Sequence, residues 1–168
     1  MHKRTAAAVL LAALLLASHA EAQRTAIPLN DHTRLGQRFT VSRPMDRLWV
    51  TVPSWSDNEG GLTLSLWDSP ARKRLIARQH YDDVRDNARV ELRLKRPVPA
   101  GTYYWEVSER TGTTRVGLYA DPVQEATDNC AYLDGVPNRT MVFVYGVGIP
   151  EVIVRSSREL TAIVRSAQ

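Results

Sequence analysis

The chain has one cysteine, Cys130, in 168 residues. A lone cysteine makes no intrachain disulfide and no cysteine-based zinc site. Its neighbours Asn129 and Ala131 supply no base, so it reads as a small half-buried side chain rather than a reactive thiol. Histidine is nearly as scarce. Beyond residue 22 only His32 and His80 occur, on separate segments and outside any metal-ligand spacing. A Gly-x-Ser-x-Gly elbow and a phosphate loop are both missing. With those routes to nucleophilic, metal and nucleotide chemistry removed, a non-catalytic protein is expected, with no organic cofactor. Repeats of fixed period are also absent, which argues against a propeller. No low-complexity linker divides the chain, so one domain is expected.

There is a single long apolar run, Ala6 to Ala17. His2, Lys3 and Arg4 precede it, and Ala20-Glu21-Ala22 follows as a small-x-small cleavage site. This is the three-part pattern of a secretory signal peptide. As a helix the run would span roughly 18 Å, short of a hydrocarbon core of roughly 30 Å. Cleavage is expected after Ala22, giving a secreted or periplasmic protein with no transmembrane segment. Residues 23–168 are enough for one domain burying about two-thirds of its unfolded surface. The formal net charge is +4, and the excess is mostly arginine dispersed along the strands. Dispersed arginines read as a solvated basic face, and a nucleic-acid partner is not expected.

What the sequence does contain is period-two alternation. Leu62, Leu64 and Leu66 alternate with Thr63, Ser65 and Trp67; Val90, Leu92 and Leu94 alternate with Arg89, Glu91 and Arg93. Neighbouring residues of a strand point to opposite faces. Strands are expected at 38–42, 47–53, 62–68, 74–81, 88–95, 101–109 and 114–119, with 130–133 and 139–145 flanking Asp134-Gly135, a hairpin signal. In 101–109, Tyr103, Trp105 and Val107 share one face and Tyr104, Glu106 and Ser108 the other. Turn signals every eight to twelve residues point to an all-β fold, a two-sheet antiparallel sandwich of about eight strands. Clean alternation implies one buried and one wet face per sheet. The expected layout is an extended lead-in at 23–37, a sandwich at 38–146 and an extension at 147–168. In the extension, Ser156-Ser-Arg-Glu159 resembles a capping box, and a short C-terminal helix or a frayed tail are both open.

Successive antiparallel strands place every second loop at the same end. Loops 54–61, 82–87 and 110–113 therefore share one end, rich in polar side chains. A sugar needs an aromatic face for its C–H surface and planar polar groups for its hydroxyls. Trp55 is the candidate stacking residue, with Asp57, Asn58, Asp86, Asn87 and Arg110 as hydrogen-bonding partners. The competing reading is that Trp55 caps the core edge and the acids are merely solvated. Asp57, Glu59, Asp82, Asp83 and Asp86 are a candidate set for a structural calcium, which takes six to eight oxygens. Trp67 and Tyr104 point outward by alternation and form a weaker candidate aromatic surface. Loop acids acting as a hydrolase pair are a third, weaker reading. Asn138-Arg-Thr140 matches a glycosylation sequon.

Val52-Pro-Ser-Trp-Ser-Asp57, Gly61-Leu-Thr-Leu-Ser-Leu-Trp-Asp68, Val84-Arg-Asp-Asn-Ala88, Pro99-Ala-Gly-Thr-Tyr-Tyr-Trp-Glu106 and Tyr132-Leu-Asp-Gly135, taken as an ordered set, resemble the galactose-binding-like jelly-roll modules of secreted bacterial carbohydrate-active proteins. The resemblance covers roughly 36–145. It implies a jelly roll with a non-catalytic carbohydrate-binding role, often with a structural calcium, and points to Trp55, Asp57, Asp86 and Asn87. The alternative is a protein-interaction or structural module of the cell envelope.

Overall fold

Residues 23–150 are described here from a computed structural model of the chain. The expected signal peptide and the candidate C-terminal helix lie outside the described residues. Twelve strands form: β1 (Thr25–Pro28), β2 (Arg34–Val41), β3 (Met45–Val52), β4 (Gly61–Trp67), β5 (Leu75–Tyr81), β6 (Ala88–Val98), β7 (Gly101–Thr111), β8 (Gly117–Pro122), β9 (Ala131–Leu133), β10 (Val136–Asn138), β11 (Met141–Phe143) and β12 (Tyr145–Gly148). The only helical turn among the described residues is a 3-10 turn at Leu29–Asp31. The all-β antiparallel expectation stands, while the count and layering differ from it. Three sheets form rather than two: a six-stranded sheet β10-β9-β2-β7-β4-β5, and two three-stranded sheets, β1-β8-β11 and β12-β3-β6.

The two small sheets pack against one face of the large one. Trp105, fully buried on β7, touches Phe143 of one small sheet (ring centroids 6.2 Å apart) and Tyr145 of the other (5.9 Å). The chain crosses between those sheets at Val144, whose N–H donates to Tyr119 O at 2.8 Å. Core side chains follow the alternation. Leu62, Leu64 and Leu66 of β4, Tyr103, Trp105 and Val107 of β7, and Leu48, Val50 and Val52 of β3 are all buried. Gln37 is the polar exception inside this layer. Its Oε1 accepts from Phe143 N–H at 2.9 Å and its Nε2 donates to Arg38 O at 2.8 Å, tying the large sheet to a small one.

The differences from expectation have local causes. The lead-in is not merely extended: β1 pairs with β8, and β2 begins at Arg34. The Asp134-Gly135 turn is a tight hairpin with both residues at positive φ (54° and 86°), as a two-residue turn requires. Its second arm is Val136–Asn138 rather than 139–145, because the chain turns again and delivers β11 and β12 to different sheets. Residues 147 and 148, expected in the extension, complete β12 against Leu48 and Arg47. Cys130 is buried rather than half-buried.

Candidate functional site

The three polar loops meet, as alternation of strand direction requires. Val84 N–H donates to Gly60 O at 2.8 Å, Ser54 N–H donates to Asp86 Oδ1 at 2.6 Å, and Asp86 N–H donates to Asn58 Oδ1 at 2.9 Å. These bonds stitch loop 53–60 to loop 82–87. Arg110 stays within its own turn, donating to Gly112 O at 2.7 Å and Thr114 O at 3.3 Å. Asn87 accepts from the Tyr119 hydroxyl and donates to Asp86 Oδ2 at 3.0 Å. Asn58, Asp86, Asn87 and Arg110 thus spend polar atoms on holding the loops.

Trp55 and Asp57 line a pocket, although Asp57 Oδ1 also accepts from Glu59 N–H at 3.4 Å. Trp55 and Ser56 both lie in the left-handed region (φ 52° and 64°), uncommon for residues with a side chain. The bend is held by Asp57 N–H donating to Ser54 O at 3.0 Å. It turns the Trp55 ring outward, 39 % exposed, with the Arg115 guanidinium 5.9 Å from the ring centroid. A pocket of about 410 Å³ opens beside it, lined by Asn30, Ser54, Trp55, Asp57, Thr113, Thr114 and Arg115. Asn30 comes from the 3-10 turn, which strand order alone does not bring to this end, while Thr113 belongs to the loop expected here and Arg115 lies just beyond it.

The candidate calcium set does not assemble. Asp86 turns inward onto Ser54, and Asp82 lies 3.1 Å from His80 Nε2. Among the described residues no group of three or more His, Cys, Asp or Glu side chains is placed to hold a metal ion.

The candidate aromatic surface is also corrected. Tyr104 is 1 % exposed, because neighbours on its own sheet face cover it. Gly36 on β2 leaves room for the ring: a Cβ there would strike the Tyr104 hydroxyl. Tyr132 closes over it edge-on, centroids 5.3 Å apart. Trp67 is half-buried under Arg72, whose guanidinium lies 5.0 Å from the ring centroid. Between them Glu106 is 2 % exposed, with Arg72 Nε 3.4 Å and Arg34 Nε 3.9 Å from its oxygens. Burial pushes the Glu106 carboxyl above its ordinary range, and the two guanidiniums offset only part of that. Burial, and then the Glu106 charge, push the Tyr104 phenol up as well.

A larger concavity lies on the flank of the sandwich, where the sequence suggested only a solvated basic face. β5 ends the large sheet and β6 ends a small one; they face each other without hydrogen-bonding as strands. Tyr81 OH donates to Glu91 O at 2.6 Å and pins the two together near the loop that joins them. Beyond that bond they leave a groove of about 1000 Å³. Ile76, Ala77, Leu92, Leu94, Val98 and Tyr103 give it an apolar floor, and Arg74, Arg78, Arg93, Lys95 and Arg96 stand around it.

These features define a small, all-β, sandwich-like domain with a polar loop pocket and a basic flank groove. No family model, no curated protein and no solved structure matches the chain. Among the described residues no helix is long and apolar enough to cross a membrane.

Proposed function

We propose that the chain is an exported, non-catalytic interaction module of the cell envelope, holding a protein partner on the flank between β5 and β6. The observation that supports this reading is the groove of about 1000 Å³, apolar at its floor, between two strand edges that no other strand covers among the described residues. Gln79 belongs to the inward-facing set of β5, opposite Leu64, yet it is exposed, because the sandwich is open at that point. An inward position left in solvent is what a docking partner would cover.

A second reading is carbohydrate binding at the loop end. The half-exposed Trp55 beside a pocket offering Asn30, Asp57, Thr113 and Arg115 favours it. It fits the jelly-roll resemblance and leaves Asn58, Asp86, Asn87 and Arg110 as supports rather than contacts.

One experiment separates the two. The protein is applied to a peptide array and a glycan array, beside the variants Gln79→Trp, which fills the flank, and Trp55→Ala, which removes the stacking face. Peptide binding lost in Gln79→Trp and kept in Trp55→Ala is the expected result. Glycan binding alone, lost in Trp55→Ala with the melting temperature unchanged, would replace the first reading with the second.

A further inference from the structure

We infer that the β5 edge accepts an extended acidic peptide as an added strand; this rests on the flank reading above and specifies its partner. The sheet edges differ in how well they are blunted. An edge strand presents unpaired backbone N–H and C=O groups, and folds blunt such edges by shortness, proline or charge. β1 is four residues long and ends in Pro28, β10 has three and contains Pro137, β11 has three, and β12 has four. β6 is long but carries Pro97, which cannot donate to a ladder. Among the described strands only β5, Leu75–Tyr81, is an edge of seven residues without proline. Its free side looks into the groove.

Charge favours an acidic occupant. Among the described residues five cations line the groove and no carboxylate does. Arg78 pairs with Glu109, and Arg93 lies 3.0 Å from Glu91. Arg74, Lys95 and Arg96 make no ion pair among the described residues. Cations beside an edge discourage pairing with a neutral or basic strand, including a second copy of β5, which would bring Arg74 and Arg78 against their like. The same charges attract an acidic strand, so the edge is selective rather than closed. Backbone pairing to β5 would supply affinity, and alternate side chains would meet the apolar floor and the rim cations. Pro97 and Pro99 on the opposite wall leave β5 as the side that pairs.

The test uses a labelled, end-capped octapeptide of alternating Glu and Val, read by fluorescence anisotropy at low and high salt. Three controls accompany it: the same peptide with alternate backbone amides N-methylated, a Lys-for-Glu peptide, and polygalacturonate. Binding at least tenfold stronger than for the N-methylated and Lys peptides, weakened by salt and by Lys95→Glu/Arg96→Glu, is the expected outcome. Equal binding of the N-methylated peptide would overturn strand addition. Equal or better binding of the Lys peptide, still lost in Gln79→Trp, would overturn the acidic class while leaving the flank reading intact. No binding by any peptide, with polygalacturonate or no probe bound, would overturn both. Amide exchange on the probe-free protein is the last arm: alternate β5 amides already protected on the free side would mean the edge is occupied by the chain itself, and the inference fails.

Discussion

Glu106 sits on the face of β7 that alternation assigns to solvent, yet it is buried. Its Oε2, the Arg34 Nε and the Trp67 Nε1 are all buried without a hydrogen-bond partner. The two guanidiniums stand close without bonding to it, so their attraction does not recover what burial costs the carboxylate. Its folded pKa is therefore raised. A raised carboxyl contributes stability below its unfolded value, near pH 4.3, and loses it as pH rises through the folded value. Glu106→Gln keeps the shape and removes the charge. The expected result is a melting temperature a few degrees higher than the parent at pH 7 and unchanged at pH 4. A lower melting temperature at pH 7 would mean that Arg34 and Arg72 outweigh desolvation.

Among the elements, the β9–β10 hairpin depends on one side chain. Asp134 Oδ1 accepts from Thr33 N–H at 2.6 Å, Thr33 Oγ1 at 2.7 Å and Arg34 N–H at 3.2 Å, and its Oδ2 lies 2.8 Å from His32 Nδ1. These bonds hold its carboxyl well below the usual range. The stabilisation is present above about pH 4, the unfolded value, and is lost as pH falls through the folded one. Asp134→Ala is expected to lower stability at neutral pH by about 0.5–1.5 kcal/mol, the net worth of exposed hydrogen bonds, and to narrow the gap to the parent in acid. Urea melts at pH 7 and pH 3 check this; an equal gap at both would assign the loss to the turn backbone rather than the carboxylate.

The same elements explain what was legible in the sequence. Period two located Leu62, Leu64, Leu66, Tyr103, Trp105 and Val107 in the core, because the inner face of a sheet is buried whatever covers it. It misplaced Tyr104 and Glu106. Alternation says which residues share a face, and is silent on whether long neighbours such as Tyr132, Arg34 and Arg72 fold over it. The convergence of three loops followed from strand direction. Which loop atoms remain available did not, because residue type does not say that Asp86 and Asn58 accept from backbone across the loops while Asp57 lines the pocket. The flank groove was invisible for a related reason: β5 and β6 are consecutive, and only the sheet assignment reveals that they do not pair.

For the molecule as a whole, cohesion between layers is mostly apolar, and Gln37 adds the one directed bond described between the large sheet and β11. Gln37→Leu is nearly isosteric and leaves the Phe143 N–H buried without an acceptor. The expected cost is about 1–3 kcal/mol, with amide exchange rising most in the sheet of β1, β8 and β11. Uniform acceleration across all three sheets would show that the bond serves the core generally.

The crossing at Val144 has a mechanical meaning. A pull applied at Gln23 and Pro150 enters through β1 and β12, edge strands of the two different small sheets. Neither hydrogen-bonds to the large sheet as a strand, so, apart from the connecting chain, tension reaches that sheet through packing around Trp105 and through side-chain bonds such as those of Gln37 and Tyr81. The small sheets bear the load first. The large sheet, which carries β5, stays unstretched while they yield.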